Sequence, residues 1–320
     1  VLAGSEANSQ VINFDILDGI KFNLFAFAPT FRGGVRVASA DVDGDGVPEM
    51  ILGAGPGGAP RVRVLSGATG LPLYDFLAFP ASFSGGVYVA AGDVDGDGHA
   101  DIVVGIGEGG PAQVNFYSGR NGNFIQSLEP FAKTFTGGVR VATGDLNDDG
   151  HADLIVGAGR GGDPVVKTYD GPSLTPLLNF QAYPAGSTTG GIYVAAGDVD
   201  GDGQSDIVTG AGGGITNGPL VKLLNGQTGA IKGSFFAYDT AFRAGVRVAA
   251  GDITGDGIAE IVTAPGPDAN SKGQVKYWDG STLLMRAAYF PFGPNHRDGV
   301  FVAAQGSAHR LRANTTLTVR

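Results

Sequence analysis

Asp93, Asp95, Asp97 and Asp101 stand at positions one, three, five and nine of a short stretch with Gly98 at position six. Alternate acids on a turning loop converge on one point, and four carboxylates at one point repel unless a cation sits among them. An all-oxygen, carboxylate-rich donor set suits a hard ion such as Ca2+. Gly98 supplies the left-handed backbone of the turn, and His99 at position seven would add its backbone carbonyl. The pattern recurs as Asp41, Asp43, Asp45 and Glu49 around Gly46, with Val47 at position seven. It recurs as Asp145, Asn147, Asp149 and Asp153 around Gly150, with His151, and as Asp198, Asp200, Asp202 and Asp206 around Gly203, with Gln204. The last copy is Asp252, Thr254, Asp256 and Glu260 around Gly257, with Ile258. About five calcium sites are expected, the fifth the weakest because Thr254 replaces a carboxylate.

A helix–loop–helix calcium site begins the same way but needs a bidentate Glu at position twelve. Here position twelve is Leu52, Val104, Val156, Thr209 or Thr263. Each loop runs instead into a short apolar segment that reads as a buried strand. The loop therefore joins two strands, and the acid at position nine takes over from the one at twelve. Loops saturated by their own ligands read as structural, since a catalytic metal needs an open position.

The first acids of the loops lie 52, 52, 53 and 54 residues apart. Each repeat has the same parts: an apolar strand entered through glycines, the acidic loop, a second strand, a glycine-rich connection, an alternating third strand, a turn, and a fourth strand ending in aromatics. Four strands in about 50 residues without a helical period describe a blade of a β-propeller. The chain reads as one all-β domain over 1–320, with repeats near 30–80, 81–132, 133–184, 185–238 and 239–297. A sixth blade is shared by 1–29 and 298–320. Its first strand is near 299–304, its loop at 306–314 has no acids, and its third and fourth strands lie near 10–14 and 21–28. For the second strand, residues 315–319 are one candidate. Aligning Gln10 with Gln113 offers another, laying residues 1–4 over 104–107. A six-bladed ring closed by both termini leaves no open sheet edge. Exchange of a terminal strand between neighbouring chains is the alternative.

The chain has 320 residues, 56 of them glycine, and no cysteine, so disulfides are excluded. Its formal charge is −10, which five divalent ions would cancel. The acidity thus reads as demand for metal, and no basic stripe exists to bind nucleic acid. No apolar run approaches the ~18 residues of a membrane span. With no signal peptide and no starting Met, the chain is expected to be a piece of a longer precursor. The glycine runs at 53–58, 105–110 and 157–162 resemble phosphate-cradling loops, but a strand follows each where that chemistry needs a helix. One first-strand position alternates as Arg36, Tyr88, Arg140, Tyr193, Arg247 and Phe301. In a ring each arginine gains aromatic neighbours, giving cation–π packing between blades or an anion site near the axis. The rings of His99 and His151 are expected to face solvent. His296 and His309 lie in the acid-free blade, and no nucleophile–base pattern recurs. Trp278 reads as strand packing, with a sugar-stacking platform as the alternative.

The Asp-x-Asp-x-Asp-Gly-x-x-Asp loops, with Phe-x-Gly-Gly ahead of them at Phe31, Phe83 and Phe135, resemble FG-GAP/VCBS repeats. These repeats build the integrin α-subunit propeller and many bacterial surface proteins. The departures are Thr188 and His296 in place of the lead-in phenylalanine, the acid-free sixth loop, and six blades where integrins have seven. The resemblance implies Ca2+ in the loops and a non-catalytic adhesion module outside the cell or on its surface, in a bacterial setting, with a protein or carbohydrate ligand on its loop face. A sugar-binding lectin, a secreted polysaccharide lyase or hydrolase using the irregular loop at 293–298, and a surface-assembly subunit are the alternatives.

Overall fold

The computed structural model describes residues 1–304 other than 16–18, 215, 217 and 269–271. Among these residues every regular element is a β-strand, and the strands form six four-stranded antiparallel sheets. The first blade runs β4 (Val35–Ala40), β5 (Glu49–Ala54), β6 (Arg61–Leu65) and β7 (Pro72–Leu77). The second holds β8 (Val87–Gly92), β9 (Asp101–Ile106), β10 (Val114–Tyr117) and β11 (Phe124–Leu128). The third holds β12 (Val139–Gly144), β13 (Asp153–Ala158), β14 (Val165–Tyr169) and β15 (Pro176–Gln181). The fourth holds β16 (Ile192–Gly197), β17 (Asp206–Ala211), β18 (Leu220–Leu224) and β19 (Ile231–Phe236). The fifth holds β20 (Val246–Gly251), β21 (Glu260–Pro265), β22 (Val275–Trp278) and β23 (Met285–Tyr289).

The sixth blade joins β24 (Val300–Ala303) to β1 (Leu2–Ser5), β2 (Gln10–Asp15) and β3 (Gly19–Phe25), so strands from both ends of the chain close one sheet. The second-strand seat belongs to β1, while residues 315–319 and His309 lie outside the described residues. The alignment of residues 1–4 over 104–107 needs correcting by two. Gly4 faces Phe301 as Gly105 faces Tyr88, so Gly4 is the counterpart of Gly105. The turn from β1 to β2 is two residues shorter than that from β9 to β10. An even shift keeps side chains on the same faces.

Position within a blade follows from composition. The second strands, such as Met50-Ile51-Leu52 in β5, are apolar on both faces and wholly buried between neighbouring blades. The fourth strands alternate between exposed and half-buried residues and form the rim. Each first strand packs on the first strands of both neighbours, and β24 meets both β20 and β4, so the ring is closed. A register shift separates the third from the fourth strand in all six sheets. Such bulges add local twist.

The Phe-x-Gly-Gly motif has a steric reason. A Cβ on Gly33, Gly85 or Gly137 would come within 2.1, 1.9 or 2.0 Å of a backbone carbonyl oxygen, beside the lead-in phenylalanine ring. The next glycine is left-handed in each case, with φ of 76°, 78° and 83° at Gly34, Gly86 and Gly138. Where the phenylalanine is missing, Thr188 donates from Oγ1 towards the carbonyls of Gly191 and Gly212, and His296 stacks at 4.9 Å on Phe292.

A polar side chain at one third-strand position bolts each of the first five blades to the one before it. Arg63, Asn115, Lys167, Lys222 and Lys276 donate to the carbonyls of Ala26, Ala78, Pro130, Ala182 and Ala237, at 2.7–2.8 Å. Blade six has Ile12 at the equivalent place and makes no such bond. Burial lowers the pKa values of Lys222 and Lys276, but each ammonium retains a carbonyl partner. Replacing Lys167 with Met, which keeps the stem and deletes the donor, should cost about 1.5–3 kcal/mol. Urea unfolding measures this, and Ile12→Val should shift the midpoint far less.

Candidate metal centres

The acidic loops share one internal architecture. The aspartate at position one folds its carboxylate back over the turn and accepts from the backbone N–H groups of positions four and six. Asp41 accepts from Gly44 at 2.8 Å and Gly46 at 2.9 Å, and Asp93 from Gly96 at 2.7 Å and Gly98 at 2.9 Å. Asp145, Asp198 and Asp252 repeat the arrangement. The position-five carboxylate accepts from the N–H of position seven, so Val47, His99, His151, Gln204 and Ile258 are held by Asp45, Asp97, Asp149, Asp202 and Asp256. Position four is left-handed as well as position six. In the third loop it is Asp148, with φ of 63°, where the other loops have glycine. Aspartate tolerates that backbone better than most residues.

The acid at position nine begins the second strand and is buried. Asp101 accepts from Val94 N–H and Gly119 N–H, Asp153 from Leu146 and Gly171, and Glu49 from Val42 and Gly67. Glu260 accepts from Ile253 and Thr254. These carboxylates tie the loop to the strand. In Asp101, Asp153 and Glu49 each oxygen keeps a second lone pair for a cation, whereas Glu260 Oε2 already accepts two N–H groups.

The loops also bond to one another. The carbonyl of position one accepts the N–H of position eight in the following blade: Asp41 from Ala100 at 3.1 Å, Asp93 from Ala152 at 2.8 Å, Asp145 from Ser205 at 3.1 Å and Asp198 from Ala259 at 2.6 Å. The histidine rings, expected in solvent, lie instead against the preceding loop. His99 Nδ1 is 3.2 Å from the Val42 carbonyl, and a Cβ on Gly96 would come within 2.2 Å of the His151 ring. In the first, second and fourth loops, where position four is glycine, the next blade's position-seven side chain lies over it.

Oxygens of Asp41, Asp43 and Asp45 lie within 4.8 Å of one another, as do those of Asp93, Asp95 and Asp101, and of Asp198, Asp200 and Asp202. Oxygens about 2.4 Å from a shared Ca2+ are at most about twice that apart, so the donors fit the ion in type and spacing. Several acidic clusters can therefore hold a metal. The third cluster is Asp149, Asp153 and Asp170. Asn147 leaves that loop one charge short, and Asp170, from the turn after β14, supplies it. The sequence signal was an acid where the first, second and fourth blades have Ser66, Ser118 and Asn225. In the fifth blade the equivalent Asp279 is bound to Arg286, and Thr254 donates to Glu260 at 3.1 Å. Among the described residues the fifth loop forms no three-acid cluster.

The fourth loop has a cation of its own. Lys232 Nζ lies 2.6 Å from Asp200, 2.7 Å from Asp206 and 3.4 Å from Asp202. By register its counterparts in the first three blades are Leu73, Ile125 and Leu177, all aliphatic. Burial pulls its pKa down, but the bonds to Asp200 and Asp206 more than offset this and hold the ammonium above its usual range.

Trp278 is packed rather than displayed. Its Nε1 donates to Thr263 Oγ1 at 2.9 Å and its ring lies 4.4 Å from Phe235, so it is no sugar platform. In the loop at 293–298, His296 and Arg297 engage backbone carbonyls.

Fold and loops together define a six-bladed β-propeller with acidic turns between its first and second strands. The FG-GAP-like repeat family matches residues 41–104 and 93–156, and the FG-GAP repeat matches 191–231. Integrin alpha pat-2 of Caenorhabditis briggsae is 28% identical over 219 residues, covering 56% of this chain and 18% of that protein. Integrin alpha-V of Gallus gallus is 31% identical over 170 residues, covering 47% and 16%. The chain thus spans under a fifth of these relatives. A protein of unknown function from Bacteroides caccae has the same fold at TM-score 0.56 and 10% identity, covering 93% of this chain and 97% of that one. The chain carries FG-GAP repeats over residues 41–156 and 191–231 and is similar to integrin α chains.

Burial, partly offset by backbone hydrogen bonds, pushes Asp101 and Asp153 up to about 6, and burial offset by Lys232 does the same to Asp206. Their folded values exceed the unfolded ones, so between about pH 4 and 6 the folded chain binds more protons. Without divalent ions, stability should therefore rise as pH falls from about 7 to about 5. Urea midpoints in chelator at the two pH values check the sign.

Proposed function

We propose that the ring is a calcium-stabilised, non-catalytic module that works outside the cell or on its surface. There it presents a rigid rim of loops to a protein or glycan. The observation that carries this reading is the run of five acidic turns, each organised around one aspartate, the first four bonded to the turn in the next blade. Ca2+ would be held by Asp41, Asp43, Asp45 and Glu49; by Asp93, Asp95, Asp97 and Asp101; by Asp145, Asn147, Asp149 and Asp153 with Asp170; and by Asp198, Asp200, Asp202 and Asp206. Asp252, Asp256 and Glu260 with Thr254 form the weakest set. Position-seven carbonyls complete the ligation. An ion in the fourth loop has to displace Lys232, which makes that site harder to fill than the first two.

Chemistry of this kind suits a fluid rich in calcium, which supports an extracellular address. Similarity to integrin α chains supports an interaction role, and no helix among the described residues is long and apolar enough to cross a membrane. Fold alone does not fix function, so partner and address rest on the loops and the relatives together.

Chelation should lower the melting temperature sharply, and readdition of Ca2+ should restore it. Filling a site at a hundredfold excess over its Kd stabilises by ~2.7 kcal/mol. Asp97→Ala should therefore cost about 2–3 kcal/mol in Ca2+, more than His99→Ala. Equal melting with and without chelator would remove the calcium reading.

A further inference from the structure

The inner strands place Arg36, Tyr88, Arg140, Tyr193, Arg247 and Phe301 in one layer around the propeller axis. Arg36 lies 5.2 Å from the Tyr88 ring centre and 4.9 Å from that of Phe301. Arg140 lies 5.7 Å from Tyr88 and 3.9 Å from Tyr193, and Arg247 lies 5.2 Å from Tyr193 and 5.1 Å from Phe301. All three arginines are at least nine-tenths buried. This layer lines one end of an axial chamber of about 150 Å³, whose lining runs along the first strands to Ser39 and Thr143 at the acidic-loop end.

Three guanidinium groups bring three positive charges, and the structure answers one of them. Arg247 Nη2 donates to both oxygens of Glu6, at 2.8 and 2.7 Å. Glu6 stands two residues beyond the partner of Phe301, where the other blades carry Gly55, Gly107, Gly159, Gly212 and Gly266. The counter-charge is thus offered once. Arg36 bonds a carbonyl, that of Gly33, at 3.1 Å. Nε of Arg36, and Nε and Nη1 of both Arg140 and Arg247, are buried with no hydrogen-bond partner. Aromatic faces offset part of the cost of burying a cation, but a buried charge needs a charged or hydrogen-bonding partner.

We propose that this layer is a binding site for one small oxyanion of the sulfate, phosphate or carboxylate class, held on the axis chiefly by Arg140 and Arg36. The ligand supplies acceptors for unpaired N–H groups and cancels charge that Glu6 leaves over. The field is also felt by Tyr88: burial pushes its pKa up, but Arg140 and Arg36 outweigh burial and bring it below the usual phenol value. The site is separate from the calcium loops, so its failure would leave the proposed function standing.

The test uses the whole chain in saturating Ca2+ at fixed ionic strength, with sulfate replacing chloride. Sulfate in the millimolar range should raise the melting temperature saturably. Arg140→Met should abolish that rise, and Glu6→Gln should tighten sulfate binding about tenfold by removing the internal competitor. No sulfate-specific rise in the parent chain, or an equal rise in Arg140→Met, overturns the proposal. If Arg140→Met does not fold, crystals of the parent chain in selenate decide. An anomalous peak between the guanidinium groups supports the site, and selenate found only on the outer surface overturns it.

Discussion

One residue in each of the first four blades connects two scales of the structure. The position-one aspartate gathers the N–H groups of its own turn onto its carboxylate, and its backbone carbonyl accepts an N–H from the turn of the next blade. The same turn gathers several negative charges within a few ångströms. On the calcium reading, a cation would hold these charges together and stiffen the turn that the next blade grips, so blade geometry and metal binding would be one constraint.

Two further devices act at other radii. The third-strand donors from Arg63 to Lys276 reach back to the preceding blade's carbonyls and fix the middle of each interface. On the axis, arginines and aromatics alternate so that every cation sits between two rings. A blade is too small to bury its own faces, and stability in such arrays comes largely from nearest-neighbour interfaces. Blade six departs at all three radii: Ile12 makes no third-strand bolt, Glu6 replaces a glycine, and the sequence of its loop has no acids. The ring compensates there by sharing a sheet between the two ends of the chain.

The architecture was legible because the repeat is long, regular and punctuated by glycine. The strand order, the closing blade and the alternating axial layer could all be read from spacing. What escaped were relations between blades. The registration of residues 1–4 was misjudged by two, because a shortened turn leaves no mark in the alternation of apolar residues. The His99 and His151 rings were expected in solvent, since their contacts lie on a neighbouring repeat some fifty residues away. Asp170 and Lys232 lie outside the nine-residue motif, and only folding brings them to it. Asp170 restores the charge that Asn147 gives up, and Lys232 brings a cation to a loop that resembles the others in sequence.

The account rests on the claim that divalent cations hold the acidic turns in the geometry that links one blade to the next. Amide hydrogen exchange at Ala100, Ala152, Ser205 and Ala259, whose N–H groups make those links, addresses this directly. In Ca2+ these amides should exchange as slowly as the buried second strands. On chelation they should lose protection first, while the third-strand amides keep theirs. Unchanged protection of the four amides after complete removal of divalent ions would contradict the account.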